Sequence, residues 1–164
     1  DHEIIVKDKA SGEKHDFTST DVKEIKYYDK KAKEWMNWIP MVAQMGMSMS
    51  YKKEPKLYKN PIFLHPVYEG KNISAYIHYI STATHVKSGS FYGFGIMYYY
   101  KAKNEDFARS YYLKENGITL GQKTMLKRYF QEYPQTKEVL KDLDMKEFRK
   151  DPALFVKKLD EMIK

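Results

Sequence analysis

The chain has no cysteine among its 164 residues. Disulfides, thiol nucleophiles and cysteine-ligated zinc or iron–sulfur centres are therefore excluded, and the fold has to come from burial and hydrogen bonding. Arginine is scarce. Arg109, Arg128 and Arg149 are the whole supply, so the planar forks that suit phosphate and base edges are few, and nucleic acid is an unlikely partner. No apolar run comes near the ~20 residues that a membrane-spanning helix needs. A phosphate-loop spacing is also missing. Gly117 and Gly121 are separated by three residues where four are needed, and Gln122 rather than lysine follows the second glycine.

What is present is apolar and aromatic material for a core: 42% hydrophobic and 15% aromatic residues, with 31% charged residues for a solvated exterior. A chain of this length buries roughly 70% of its unfolded surface, enough for one core, and residues 1–164 read as a single α+β domain. The net charge of +7 is unevenly spread. Residues 1–40 carry 8 basic and 9 acidic side chains, 41–120 carry 10 and 5, and 121–164 carry 11 and 8. The basic middle also holds 11 of the 15 tyrosines. The chain begins at Asp1, from which a removed export signal and an extracytoplasmic location, periplasmic or secreted, are expected.

Periodicity divides the chain into elements. Two short strands flank a glycine turn at 3–7 and 14–18. A helix is expected over 21–39, from a capping-box pair at Asp21 and Glu24 and from Val22, Ile25, Tyr28, Ala32, Trp35, Met36 and Ile39 at helical spacing, ended by Pro40. Alternation then points to a strand from Met41 to Tyr51, and 61–68 reads as an edge strand or loop because Pro66 removes a ladder donor. Residues 73–86 and 91–101 form a hairpin, 107–113 a third strand, and 121–163 a set of short helices with Asp144 and Asp151-Pro152 as starts. The sum is an antiparallel sheet of about four to six strands centred on 41–114, one N-terminal helix and a helical C-terminus.

Three constellations carry possible chemistry. The first is a tyrosine-rich, basic sheet surface made by Tyr76, Tyr79, Tyr92, Tyr98, Tyr100 and Tyr111 with Lys87, Lys101, Lys103 and Arg109 at the rims. Tyrosine buries much area at small entropic loss and a positive rim steers an acidic protein, as suits an inhibitor, an immunity factor or a subunit of an envelope assembly. The second is a pocket between sheet and helices holding His78 and His85, as in a hydrolase or small-ligand binder. The third is Met45, Met47 and Met49, whose thioethers at strand spacing suit Cu(I), although such a stripe more often packs a core. A non-enzymatic binding protein without a cofactor is the expectation; no triad or metal spacing is present in the local sequence.

Overall fold

The computed structural model describes residues 3–30, 33–47, 52–86, 89–114 and 122–163. The fold is α+β. Its strands are β1 (Glu3–Lys7), β2 (Lys14–Thr18), β3 (Ile25–Asp29), β4 (Glu34–Met41), β5 (Ile62–Tyr68), β6 (Ile73–Val86), β7 (Gly89–Ala102) and β8 (Arg109–Lys114). They are followed by helices α1 (Gln122–Tyr129), α2 (Thr136–Asp142), α3 (Met145–Lys150) and α4 (Ala153–Met162). β1 and β2 pair as a small antiparallel sheet, and β3 to β8 form a six-stranded antiparallel sheet in chain order.

The expected helix over 21–39 is replaced by the β3–β4 hairpin, in which Ile25 pairs with Trp38 and Tyr28 with Trp35. Two features overrule the helical spacing. Asp21 uses its carboxylate on Thr18, accepting from the backbone N–H at 2.7 Å and the hydroxyl at 2.5 Å, so it closes a turn and caps no helix. Lys33 adopts φ +57°, a left-handed turn conformation that breaks any helix there. The aromatic residues of this stretch then fit a pleated surface, with Met36 and Trp38 buried and Trp35 outside.

The strand expected from Met41 to Tyr51 also gives way over 41–47, and 48–51 lie outside the described residues. Regular pairing stops at Met41, isolated bridges tie Ala43 to Ala108 and Gln44 to Leu57, and Gly46 takes φ +62°. β5 is an interior strand and not an edge: the ladder shifts register between Pro66 and Tyr68, so the proline falls where pairing is already interrupted.

One cross-strand row shows how the sheet is covered. Ile25 lies beside Trp38, whose ring is 5.5 Å from that of His65; His65 pairs with Ile77, Ile77 with Tyr98 and Tyr98 with Tyr112. Over β6–β8 this face packs against the helical segment, with Ile73, Ala75, Ile77, Tyr98 and Tyr100 meeting Leu126, Phe130, Phe148 and Phe155. Over β3–β5 the same face carries a smaller cluster, Met36, Trp38 and Phe63, joined by Ile4, Val22 and Ile25. The opposite face buries Leu64, Tyr76, Met97 and Tyr99 together with Ala43 and Met47 from the 42–47 segment.

Helix starts follow their caps. Asp144 accepts from the backbone N–H of Lys146 at 2.7 Å and of Glu147 at 3.4 Å, as its position predicts. Asp151 accepts from Ala153 N–H at 3.1 Å at the head of α4.

Candidate functional site

Most of the residues nominated for the tyrosine-rich surface are structural. Tyr98, Tyr100 and Tyr111 lie under the helices with at most 7% of their surface exposed, a correction to the expectation that they face a partner. Tyr100 donates its hydroxyl hydrogen to the Tyr129 carbonyl at 3.2 Å, and Tyr111 to the Pro152 carbonyl at 3.0 Å. The Tyr100 ring sits 4.3 Å from that of Phe130. Burial, with the Asp151 charge added, pushes the Tyr98 phenol up to about 12, and burial pushes Tyr111 well above its ordinary value. Phenols so placed stay neutral and serve as core rings with one satisfied polar end.

Arg109 is likewise no rim cation. It is buried, donates from Nε to Glu105 at 2.6 Å and from its two Nη atoms to the carbonyls of Lys52 (2.8 Å) and Lys53 (3.2 Å), and stacks 4.5 Å over Phe107. It clamps the 52–53 segment to β8. His78 is buried with Nδ1 3.0 Å from the Phe63 carbonyl, which makes it a sheet-pinning group. Lys87 and the side chains of His85 and Tyr92 lie outside the described residues. Of the methionines, Met45 is 41% exposed while Met47 packs inward, with Gly46 turning the backbone between them; Met49 lies outside the described residues. The alternation that would align three thioethers is therefore lost between Met45 and Met47. Among the described residues no group of three histidine or carboxylate side chains is placed to hold a metal.

The exposed aromatic surface lies elsewhere, at the β3 end of the sheet. Trp35 is 70% exposed, Tyr79 50%, Tyr28 47% and Tyr27 43%. Tyr28 and Trp35 meet edge to face at 5.7 Å, and Tyr79 packs 5.6 Å from Trp38. Between the N-terminal hairpin and Tyr79 opens a mainly apolar cleft of about 340 Å³, walled by Ile4, Ile25, Tyr27, Trp38, Phe63 and Tyr79, with the nominated His78 also on its wall. Within it the indole N–H of Trp38, enclosed by protein, has no acceptor among the described residues. β3 itself is an edge strand. At the other edge, the backbone N–H groups of Gln44 and Ala108 reach the carbonyls of Ala108 and Val42 (both 2.8 Å), and the Ser110 hydroxyl reaches the Gly46 carbonyl at 2.5 Å, so the 42–46 segment lies along it. No described strand lies outside β3.

The sequence held a signal for this site. Ile25 to Tyr28 and Trp35 to Ile39 are two runs of strand-favouring residues separated by a lysine-rich stretch, Lys30-Lys31-Ala32-Lys33. The helical spacing of the same residues masked it.

At the far end of the sheet the turn before β6 is fixed by one carboxylate. Asp160 of α4 accepts from the backbone N–H groups of Lys71 (2.9 Å), Asn72 (2.7 Å) and Ile73 (2.9 Å) and from the Tyr68 hydroxyl (2.9 Å). Burial alone would raise its pKa; the four donors outweigh that and hold the carboxyl below the ordinary range. Gly70 is required there, since a Cβ would collide with the Ile73 carbonyl and lie 2.6 Å from Asp160 Oδ2. Beside this turn are two clefts, a polar one of about 340 Å³ and a mixed one of about 570 Å³, that share Asn72, Ala102 and Lys103. The nominated Tyr76, Lys101 and Lys103 line the smaller one.

No family model, no curated protein and no solved structure matches this chain. Function has to be read from these two surfaces.

Proposed function

We propose that the chain is a protein-binding domain that takes an extended acidic segment of a partner along the outer edge of β3, with apolar side chains of that segment seated in the Trp38–Tyr79 cleft. The observation that carries this reading is Tyr27 and Tyr79, 43% and 50% exposed on the wall of an open apolar cleft, with Tyr28 and Trp35 as a second exposed pair on the opposite face of the β3–β4 hairpin. Contiguous exposed aromatics are a mark of interaction sites, and tyrosine and tryptophan supply most binding hot spots. An edge strand adds backbone hydrogen bonds to any extended chain laid beside it, and side-chain pockets then choose the sequence. An acidic partner fits because residues 23–34 hold five lysines against three carboxylates. The excess falls in the sequence between Asp29 and Glu34, the ends of β3 and β4.

The test is a displayed library of extended peptides that alternate acidic and apolar residues, scored by affinity and by amide exchange. The reading expects micromolar binders, slower exchange at 25–29 in the complex, and weakening of about tenfold or more in Tyr27→Ala. A library without binders, or binders that leave exchange at 25–29 unchanged, overturns it.

A further inference from the structure

The two clefts at the opposite end of the sheet lie outside the β3 surface and have different chemistry. Three lysines from two places in the chain converge on the smaller cleft: Lys71 from the turn before β6, Lys101 from the end of β7 and Lys103 just after it. None of the three makes a salt bridge or side-chain hydrogen bond among the described residues, whereas Lys26 and Lys150 pair with carboxylates and Lys114 and Lys123 donate to carbonyls. The cleft wall contains no carboxylate. Its remaining polar side chains are the Asn72 amide, which donates to the Ile163 carbonyl at 3.2 Å, and the hydroxyls of Ser74 and Tyr76.

The nearest buried negative charge, Asp160, is already saturated by three backbone N–H groups and the Tyr68 hydroxyl. Those same bonds hold the Lys71–Asn72 backbone in place, so the floor of the cleft is rigid before any ligand arrives. Glu69 is the one carboxylate whose charge reaches Tyr76. Three uncompensated ammonium groups around a fixed concavity make a site for an anion.

The larger cleft continues from it past Lys103 and changes character. Its wall offers Asn104, Tyr133 and two carboxylates, Glu132 and the Arg109-paired Glu105, and between them the apolar Ile73, Ala102 and Ile163. Amide, phenol and carboxylate groups spaced along a cleft of about 570 Å³ exchange hydrogen bonds with hydroxyls, and the apolar wall between them suits the C–H faces of a sugar ring.

We infer that the joined clefts bind a small polyhydroxylated anion of the sugar-acid or sugar-phosphate kind, its charged group among Lys71, Lys101 and Lys103 and its hydroxyls toward Asn104, Glu132 and Tyr133. Nothing in this inference depends on the β3 surface.

The test is titration of the whole chain at low ionic strength with four probes: glucose 6-phosphate, glucuronate, glucose and inorganic phosphate. The expected result is millimolar or tighter binding of at least one sugar anion, about tenfold or more tighter than inorganic phosphate, with no saturable binding of glucose. Which sugar anion binds tighter decides between the phosphate and carboxylate sources. Lys101→Gln and Lys103→Gln, checked for unchanged circular dichroism, each weaken that binding about three- to tenfold, and Lys26→Gln leaves it unchanged. Absence of binding by both sugar anions, inorganic phosphate binding as tightly as they do, or an equal loss in Lys26→Gln would each overturn the inference.

Discussion

Tyr98, Tyr100 and Tyr111 on one side of the molecule and Tyr27, Tyr28 and Trp35 on the other are similar rings on strands of the same sheet, yet the first three are at most 7% exposed and the second three at least 43%. What differs is the cover. Four helices lie over β6–β8 and interleave Leu126, Phe130, Phe148 and Phe155 between the tyrosines, whereas among the described residues the same face of β3–β5, where Tyr27 lies, receives Ile4 and Val22 from the N-terminal segment, and Tyr28 and Trp35 stand on the opposite face. The β1–β2 hairpin places Ile5 and Val6 largely in solvent and is too thin to close over the hairpin beside it. Ring identity therefore does not separate structure from function here; what is stacked above each ring does.

The comparison can be broken or sharpened by substitution. The largest effect belongs under the helices: Phe130→Ala removes a fully buried ring in contact with Tyr100, Tyr111, Tyr133 and Phe155, and denaturant unfolding is expected to show a loss of about 3–5 kcal/mol. Next comes Asp160→Ala, which strands three backbone N–H groups and is expected to lose about 2–4 kcal/mol in the same assay. Asp160 also sets an acid limit. Its folded-state pKa lies below the unfolded value, so its contribution is complete above the ordinary carboxylate range and disappears as pH falls through the folded value. The wild type should lose stability as pH falls through that range, and Asp160→Ala should flatten this acid limb.

Smaller again is the alkaline limb. The raised phenols of Tyr98 and Tyr133, both pushed to about 12, contribute stability that is fully present below the unfolded value near 10 and is lost as pH climbs toward 12. Ultraviolet titration of phenolate should therefore show a late group of tyrosines whose ionisation coincides with loss of near-ultraviolet circular dichroism. Tyr111→Phe, which deletes only the hydrogen bond to Pro152 O, is expected to cost about 1 kcal/mol.

The sequence disclosed the fold more fully than the site. Alternation over 73–86 and 91–101 was legible because both faces of β6 and β7 are apolar over the length that β5 and β8 flank, and the C-terminal helices were legible because each buries one stripe and two announce their caps with Asp144 and Asp151. Residues 21–39 misread because Ile25, Tyr28, Trp35, Met36 and Ile39 satisfy a helical period by coincidence of two strands and the four residues between them. That error concealed the exposed rings, since a helix would have turned Tyr28 and Trp35 toward the core. The tyrosine-rich surface was overdrawn for a related reason: strand periodicity tells which residues share a face, and only tertiary packing tells that helices return from 122–163 to cover it. Lys101, Lys103 and Tyr76 do meet at one cleft because Ser74–Lys101 and Tyr76–Tyr99 are register neighbours, while Arg109 went inward to satisfy Glu105 and two carbonyls.

Trp35→Ala bears most directly on the central contrast, measured for both unfolding free energy and affinity for an acidic extended peptide selected on the wild type. The account expects stability unchanged within about 0.5 kcal/mol and affinity reduced about tenfold or more. Unchanged affinity, or a loss of stability comparable to that of Phe130→Ala, would contradict it.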